Sequence, residues 1–295
     1  MKVFLTGGTG FVGSHLLRRL LSDGHQVRAL VRRSGNLRSY SGALKEVEGD
    51  LTSENLSPSL HECDAVINLV GIIYEQRKST FEAVHHSGTR NLVAAARKNG
   101  VGRFVQMSAL GARATNATAY HMTKFAAEDE VRKSGIPYVI LRPSLIFGPG
   151  SAFIKQMMGL MRAVPFIRPV AGTGEYRFRP IHVTDVVECF ARSLRNPAAV
   201  NKTIDLVGGE ELTLNELTGV LAECLKIRKA PVHIPMPLMR TVAVVCSWLP
   251  FKPPVTSVQL RMLEEGSTAD SVPMEQIFGI DPIRFRNGIK RDLSC

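Results

Sequence analysis

Apolar positions in the first half of the chain follow two alternating periods. Strand-length segments occur at Val3-Phe4-Leu5, at Gln26–Val31 (QVRALV), which alternates, at residues 65–70 (AVINLV), a continuous apolar run, at Arg103–Met107 (RFVQM) and at residues 138–141. Runs apolar on both faces belong to the interior strands of a parallel sheet. Residues 44–50 add a shorter strand. Between these runs lie stretches with helical spacing: Phe11-Val12-Leu16-Leu17-Leu20-Leu21, residues 81–99 closed by Gly100, and residues 120–133. The alternation predicts an α/β fold, a Rossmann-like doubly wound parallel sheet over residues 1–150. Beyond Pro149-Gly150 the rhythm breaks. Prolines at 165, 169, 180, 197, 231, 235, 237, 253 and 254 divide the rest into short elements. A smaller, irregular domain that shapes the substrate pocket is expected over residues 151–295, with one strand near 203–207 returning to the first sheet.

The first strand runs straight into Gly7, Gly8, Gly10 and Gly13 and then into a helix. A dinucleotide requires this order, because its pyrophosphate lies against backbone N–H groups at a helix N-terminus and a Cβ in the turn would hold it away. The spacing reads either as Gly8-x-Gly10-x-x-Gly13 or as Gly7-x-x-Gly10-x-x-Gly13. At the end of the second strand, where an acidic residue would grip the ribose 2′-hydroxyl of NAD, stand Arg32-Arg33-Ser34. A guanidinium suits a 2′-phosphate, so NADP(H) is the favoured cofactor, with NAD(H) as the alternative. Asp50 and Leu51 end the third strand on the adenine side. Asn68 to Gly71 end the fourth, on the carboxyl edge where open α/β sheets bind ligands.

Ser108 follows the strand RFVQM at that same edge, and Tyr120 and Lys124 stand four residues apart on one helix face. Together they can move a proton while hydride moves to or from a nicotinamide. Tyr120 is the acid or base, its pKa expected to be lowered by the Lys124 ammonium; Ser108 holds the reacting oxygen, and Lys124 binds the ribose. The plainer alternatives are a packing tyrosine and a surface Lys124–Glu128 pair. His182 and Asp185 receive no catalytic role.

These motifs, with Val84-x-x-x-Gly88-Thr89-Arg90-Asn91, Ser108-Ala109-Leu110-Gly111-Ala112, the stretch from Arg142-Pro143-Ser144 to Pro149, and Val183-Thr184-Asp185-Val186, resemble the NAD-dependent epimerase/dehydratase side of the short-chain dehydrogenase/reductases. The resemblance is strongest to the atypical group that includes a Rossmann-type accessory subunit of respiratory complex I and its bacterial relatives. It implies an NAD(P) site formed by Gly7, Thr9, Gly10, Phe11, Val12, Gly13, Arg32, Asp50, Leu51, Val70 and Gly71, with Pro143 over the nicotinamide end. The Ser108–Tyr120 loop is short for a sugar-nucleotide epimerase, and His121 stands where those enzymes usually carry glycine. Two function classes follow: an oxidoreductase acting on a small or isoprenoid-like carbonyl or hydroxyl compound, and an NADP(H)-binding accessory or redox-sensing protein attached to a complex or membrane. A nucleotide-sugar epimerase or dehydratase is a further alternative.

Composition narrows this further. The 295 residues are 44% hydrophobic and 21% charged, ordinary for a globular protein. The first strand begins at Lys2, so no leader is expected ahead of it. The five cysteines show no C-x-x-C spacing, and neither a disulfide framework nor a metal site is expected; this suits a reducing cytoplasm. The net charge of +11 is dispersed and aromatics make up 6%, which argues against nucleic acid and leaves phosphate ligands or the inner face of a membrane. Residues 237–250 (PLMRTVAVVCSWLP) are apolar nearly all round, as in a helix packed into a core or subunit contact, with a membrane interface as the alternative. Oligomeric state is left open.

Overall fold

The computed structural model describes all residues except 36, 38–41, 54, 77–78 and 248–255. Its elements run β1 (Lys2–Thr6), α1 (Phe11–Ser22), β2 (Gln26–Val31), β3 (Leu44–Glu48), β4 (Ala65–Asn68), a π-helical turn (Glu82–Ser87), α2 (Gly88–Lys98), β5 (Arg103–Met107), α3 (Ala119–Arg132) and β6 (Tyr138–Pro143). They continue β7 (Ile146–Phe147), α4 (Ala152–Ala163), β8 (Ile167–Ala171), β9 (Arg177–Phe178), β10 (Ile181–His182), α5 (Val183–Ser193), β11 (Lys202–Leu206), β12 (Leu212–Thr213) and α6 (Leu214–Cys224). The last are β13 (Ala230–Ile234), α7 (Met236–Ser247), α8 (Ser257–Glu265), α9 (Val272–Phe278) and α10 (Phe285–Leu293).

The chain divides into two compact units. The first comprises Met1–Pro143, Thr184–Leu206 and Val272–Ile280. The first break between the units falls at Pro143, and the chain returns twice, with β11 joining the sheet as an edge strand beside β6 and α9 packing on β11. Seven parallel strands lie in the order β11-β6-β5-β4-β1-β2-β3. β1, β4 and β5 are interior, and Val3, Phe4, Leu5, Val66, Ile67, Phe104 and Val105 have no exposed surface. The parallel connection places the ends of β1 to β6 at one edge, so the residues that follow them in sequence become neighbours in space.

One buried ion cluster ties α3 to this sheet. The Glu128 side chain has no exposed surface and accepts from Arg142 Nε at 2.7 Å, Arg142 NH2 at 2.6 Å and Arg132 NH2 at 2.5 Å. The bidentate fork supplies the geometry that a buried carboxylate needs. Glu128 is therefore no surface partner of Lys124.

The second unit comprises Ser144–Val183, Val207–Ser271 and Asp281–Cys295. It holds three two-stranded sheets, β7 with β10, β9 with β12 and β8 with β13. Helices α4, α6 and α10 enclose Phe147, Ile154, Met161, Leu217, Val220, Leu221 and Phe285. Cys224 and Cys295, 71 residues apart in sequence, form a disulfide with Cα atoms 5.2 Å apart, contrary to the sequence expectation. Packing of α10 on α6 brings them together, and no spacing rule encodes that contact. α7 buries Met236 and Ala243 beside Leu260 of α8, while Leu238, Val242 and Val244 are 56%, 48% and 46% exposed. So α7 is not a helix buried all round; residues 248–250 of that stretch lie outside the described residues. Among the described residues no helix is long and apolar enough to cross a membrane.

Replacing Glu128 with Ala removes the carboxylate that bridges Arg132 and the 20% exposed Arg142, leaving Asp205 to act on Arg142. The loss is expected to cost about 3–5 kcal/mol, read from denaturant midpoints.

Candidate functional site

The turn between β1 and α1 is built from backbone in contact with backbone. Gly7 has φ +75°, and a Cβ there would lie 3.1 Å from the Leu69 carbonyl carbon, beside the end of β4. A Cβ on Gly13 would lie 2.0 Å from the Gly7 carbonyl oxygen, a position no side chain can take. Gly10 donates its N–H to that same oxygen at 3.0 Å and caps α1 without any side-chain hydrogen bond. Gly8 has ordinary backbone, and a Cβ there would meet only the end of the Leu5 side chain at 3.3 Å. The Gly7-x-x-Gly10-x-x-Gly13 spacing is thus the one with a structural reason. It leaves the N–H groups of the first turn of α1 without a side-chain cap, an arrangement suited to a phosphate. Thr9 and Gly10 are exposed, Phe11 is half-buried, and Val12 is buried under the helix start.

Arg32 and Arg33 follow β2, both exposed and without an ion pair or hydrogen bond among the described residues. The carboxylates across from them are engaged elsewhere. Glu48 accepts from Ser34 Oγ at 2.9 Å, and Glu46 accepts the N–H groups of Gly35 at 2.5 Å and Leu37 at 2.6 Å. Asp50 is exposed and closes its own turn, Oδ1 accepting from Thr52 N at 2.8 Å and Thr52 Oγ1 at 2.7 Å. Leu51 is buried against Gly88, and Val70 packs on the same cluster.

The end of β4 is held by a buried polar network. Asn68 Oδ1 accepts from Thr6 Oγ1 at 2.6 Å, while its Nδ2 donates to Gln106 Oε1 at 3.0 Å and Thr89 Oγ1 at 3.2 Å. These bonds link β1, β4, β5 and α2 in the interior, where leaving the amide unpaired would be costly. The chain then turns through Leu69, Val70 and Gly71. A Cβ on Gly71 would lie 2.8 Å from Lys124 Nζ, so glycine leaves the room that the ammonium occupies.

Lys124 is 3% exposed and donates to the carbonyls of Val70 and Met107, each at 3.3 Å. It therefore joins the ends of β4 and β5 directly beside Ser108. Burial lowers its pKa to about 8, against the opposing pull of Glu128. Ser108 is 2% exposed, and its Oγ has no hydrogen-bond partner. An orphan buried hydroxyl at a sheet edge is a group built to meet an atom the protein does not itself supply. Leu110 N donates to the Pro143 carbonyl at 3.0 Å, which fixes the loop after Ser108 to the end of β6.

Tyr120 is half-buried between three rings: Phe81 at 5.8 Å, His85 at 5.4 Å and His121 at 5.3 Å, all edge to face. Burial pushes its pKa up to about 12. This reverses the expectation of a lowered value, because the Lys124 ammonium is directed to two carbonyl oxygens. At neutral pH Tyr120 is a phenol, the form that gives a proton away.

His85 and Phe81 were not legible as site residues. His85 is 1% exposed; its Nε2 accepts the Ile72 N–H at 3.0 Å, and its Nδ1 lies 3.0 Å from Thr123 Oγ1. Thr123 in turn donates to the Ala119 and Tyr120 carbonyls, so the neutral Nδ1–H tautomer satisfies every partner. Burial, and then the neighbouring Lys124, hold its pKa down at about 2. His85 sits in the π-helical turn Glu82–Ser87, whose extra residue turns it toward Tyr120. The only signal in the sequence was a histidine on an otherwise apolar helix face.

The side-chain-free backbone cradle, the orphan Ser108 hydroxyl and the two exposed arginines fit a dinucleotide. Residues 3–208 match the profile of the NAD dependent epimerase/dehydratase family. The chain is 30% identical over 249 residues to a ceramide reductase of Caulobacter vibrioides, covering 83% of this chain and 78% of that protein. It is 26% identical over 286 residues to the mitochondrial NADH dehydrogenase (ubiquinone) 1 alpha subcomplex subunit 9 of Arabidopsis thaliana, covering 94% of this chain and 67% of that protein. A solved UDP-glucuronic acid 4-epimerase from Bacillus cereus in complex with NAD shares the fold, with a TM-score of 0.78 at 17% identity over 100% of this chain and 96% of that one.

The Lys124 shift has a stability consequence. Between pH 8 and 10.5 the unfolded chain keeps a proton that the folded chain has lost, so stability rises with pH through that window. Relative to Lys124→Met, the wild type is expected to gain on the order of 3 kcal/mol from neutral pH to its upper end, measured by urea unfolding.

Proposed function

The chain belongs to the NAD dependent epimerase/dehydratase family, and on that premise we propose that it is an NADP(H)-dependent oxidoreductase that reduces a small or isoprenoid-like carbonyl compound. The observation that carries this reading is the unpartnered Ser108 Oγ beside Lys124, one helical turn from a protonated Tyr120. Phosphates would be held by the Gly7–Gly13 turn and the first residues of α1, a 2′-phosphate by Arg32 and Arg33, and the nicotinamide end by Val70, Gly71, Lys124 and Pro143. When bound, the nicotinamide supplies the hydride.

The remaining chemistry belongs to the protein. Ser108 Oγ–H holds the substrate oxygen, and its hydrogen bond strengthens as negative charge develops there. Tyr120 donates the proton; with a pKa near 12 it is a weak acid, yet still stronger than the alcohol it forms. Lys124, whose ammonium donates to the Val70 and Met107 carbonyls, would hold the ribose beside Ser108. His85, neutral at any working pH, fills the space beside Lys124 without adding a second charge. The Caulobacter relative's name, a reductase of ceramide, supports an apolar substrate carbonyl. A second reading, a cofactor-holding accessory protein without turnover, draws support from the Arabidopsis relative's place in NADH dehydrogenase.

Fluorescence titration is expected to give tighter binding of NADPH than of NADH, and Arg32→Ala to weaken NADPH about tenfold while leaving NADH unchanged. Equal affinities, or an Arg32→Ala variant with unaltered NADPH binding, exclude the 2′-phosphate assignment. Tyr120→Phe is expected to lower carbonyl reduction by about 100-fold or more with cofactor affinity retained. Wild-type reduction should fall as the pH rises through about 8, where Lys124 loses its charge.

A further inference from the structure

The second unit carries a charge asymmetry that the cofactor site does not use. No Asp or Glu occurs in residues 144–174 or 224–263, which together contain nine Lys and Arg. Pairing of β8 with β13, Ile167 opposite Ala230, brings the two stretches side by side. Lys229 Nζ completes the junction by donating to the carbonyls of Met161 at 2.7 Å and Val164 at 2.6 Å, the C-terminal end of α4. Around this junction the side chains of Lys155, Arg162, Lys226 and Arg228 are exposed, with no ion pair or hydrogen bond among the described residues. Glu223, the residue before the second stretch, acts on Arg168.

The same junction presents apolar surface at its tip. Phe166 is 87% exposed and Leu160 43%. Phe166 has φ +63°, and the Ile167 N–H donates to the Pro165 carbonyl across it at 2.7 Å, a tight three-residue turn. A bulky aromatic residue in left-handed backbone is strained, and such strain persists where the exposed side chain has a use. An aromatic residue standing out of a predominantly basic surface meets both requirements of an interfacial anchor, apolar insertion and attraction to anionic headgroups. We propose that this tip, Phe166 and Leu160 ringed by Lys155, Arg162, Lys226 and Arg228, docks the protein on an anionic lipid bilayer. The proposal is independent of the cofactor reading, because every residue in it lies in the second unit.

The test is co-sedimentation of the full chain with phosphatidylcholine vesicles, with and without about one third phosphatidylglycerol. Binding is expected only to the anionic vesicles and should weaken as salt is raised. Phe166→Ser should reduce partitioning about tenfold, and the double variant Arg162→Glu, Arg228→Glu by about tenfold or more. Both changes are at exposed positions, so thermal unfolding should match the wild type and exclude misfolding. Absent binding, equal binding to neutral vesicles, or unchanged binding by Phe166→Ser overturns the proposal. The last outcome, with charge dependence retained, would identify the patch as a surface for an acidic macromolecule.

Discussion

The first unit depends on one contact in which nothing but backbone is present. Gly13 meets the Gly7 carbonyl at a distance where a Cβ cannot be placed, and Gly7, at φ +75°, meets the end of β4 closely. This closeness lets α1 begin directly at the sheet edge, so its first N–H groups point to the space above β1 and β4. A wider turn would move the helix start outward and lose its alignment with Val70 and Gly71. The glycines are thus a condition of the sheet's packing as well as of the phosphate site.

From that edge the site is assembled by polar groups buried without mutual neutralisation. Lys124 spends its ammonium on two main-chain carbonyls, Ser108 Oγ has no partner among the described residues, and Tyr120 is set edge to face against Phe81, His85 and His121. Each group is costly where it lies, and a folded protein retains such costs where an external atom repays them. Glu128, one helical turn beyond Lys124, has the opposite character: it is fully saturated by Arg132 and Arg142 and serves to anchor α3 on β6. Proximity in sequence says nothing of which carboxylate or ammonium is left available.

The second unit follows different physics. Its strands are short, its core is shared among α4, α6 and α10, and its outer strand β13 is largely exposed. Such a unit tolerates surface specialisation because few of its positions are bound by a sheet register. Basic and apolar positions can collect at the α4–β8 tip without disturbing the core beneath.

The parallel sheet, the order of its elements and the carboxyl-edge positions of Gly7, Arg32, Asp50, Gly71 and Ser108 were all determined by local periodicity and turn chemistry, which act over a few residues. The return of a strand near residues 203–207 to the first sheet was expected, whereas its pairing with β6 was not specified by the sequence. Tertiary structure alone decided what depends on surroundings. The raised Tyr120 pKa and the lowered Lys124 pKa come from burial, which spacing does not encode. The place of His85 required a π-helical turn, and the Cys224–Cys295 bond required α10 to lie against α6 across 71 residues of chain. Position in a motif follows from sequence; the charge and partners a side chain keeps there follow from the atoms packed around it.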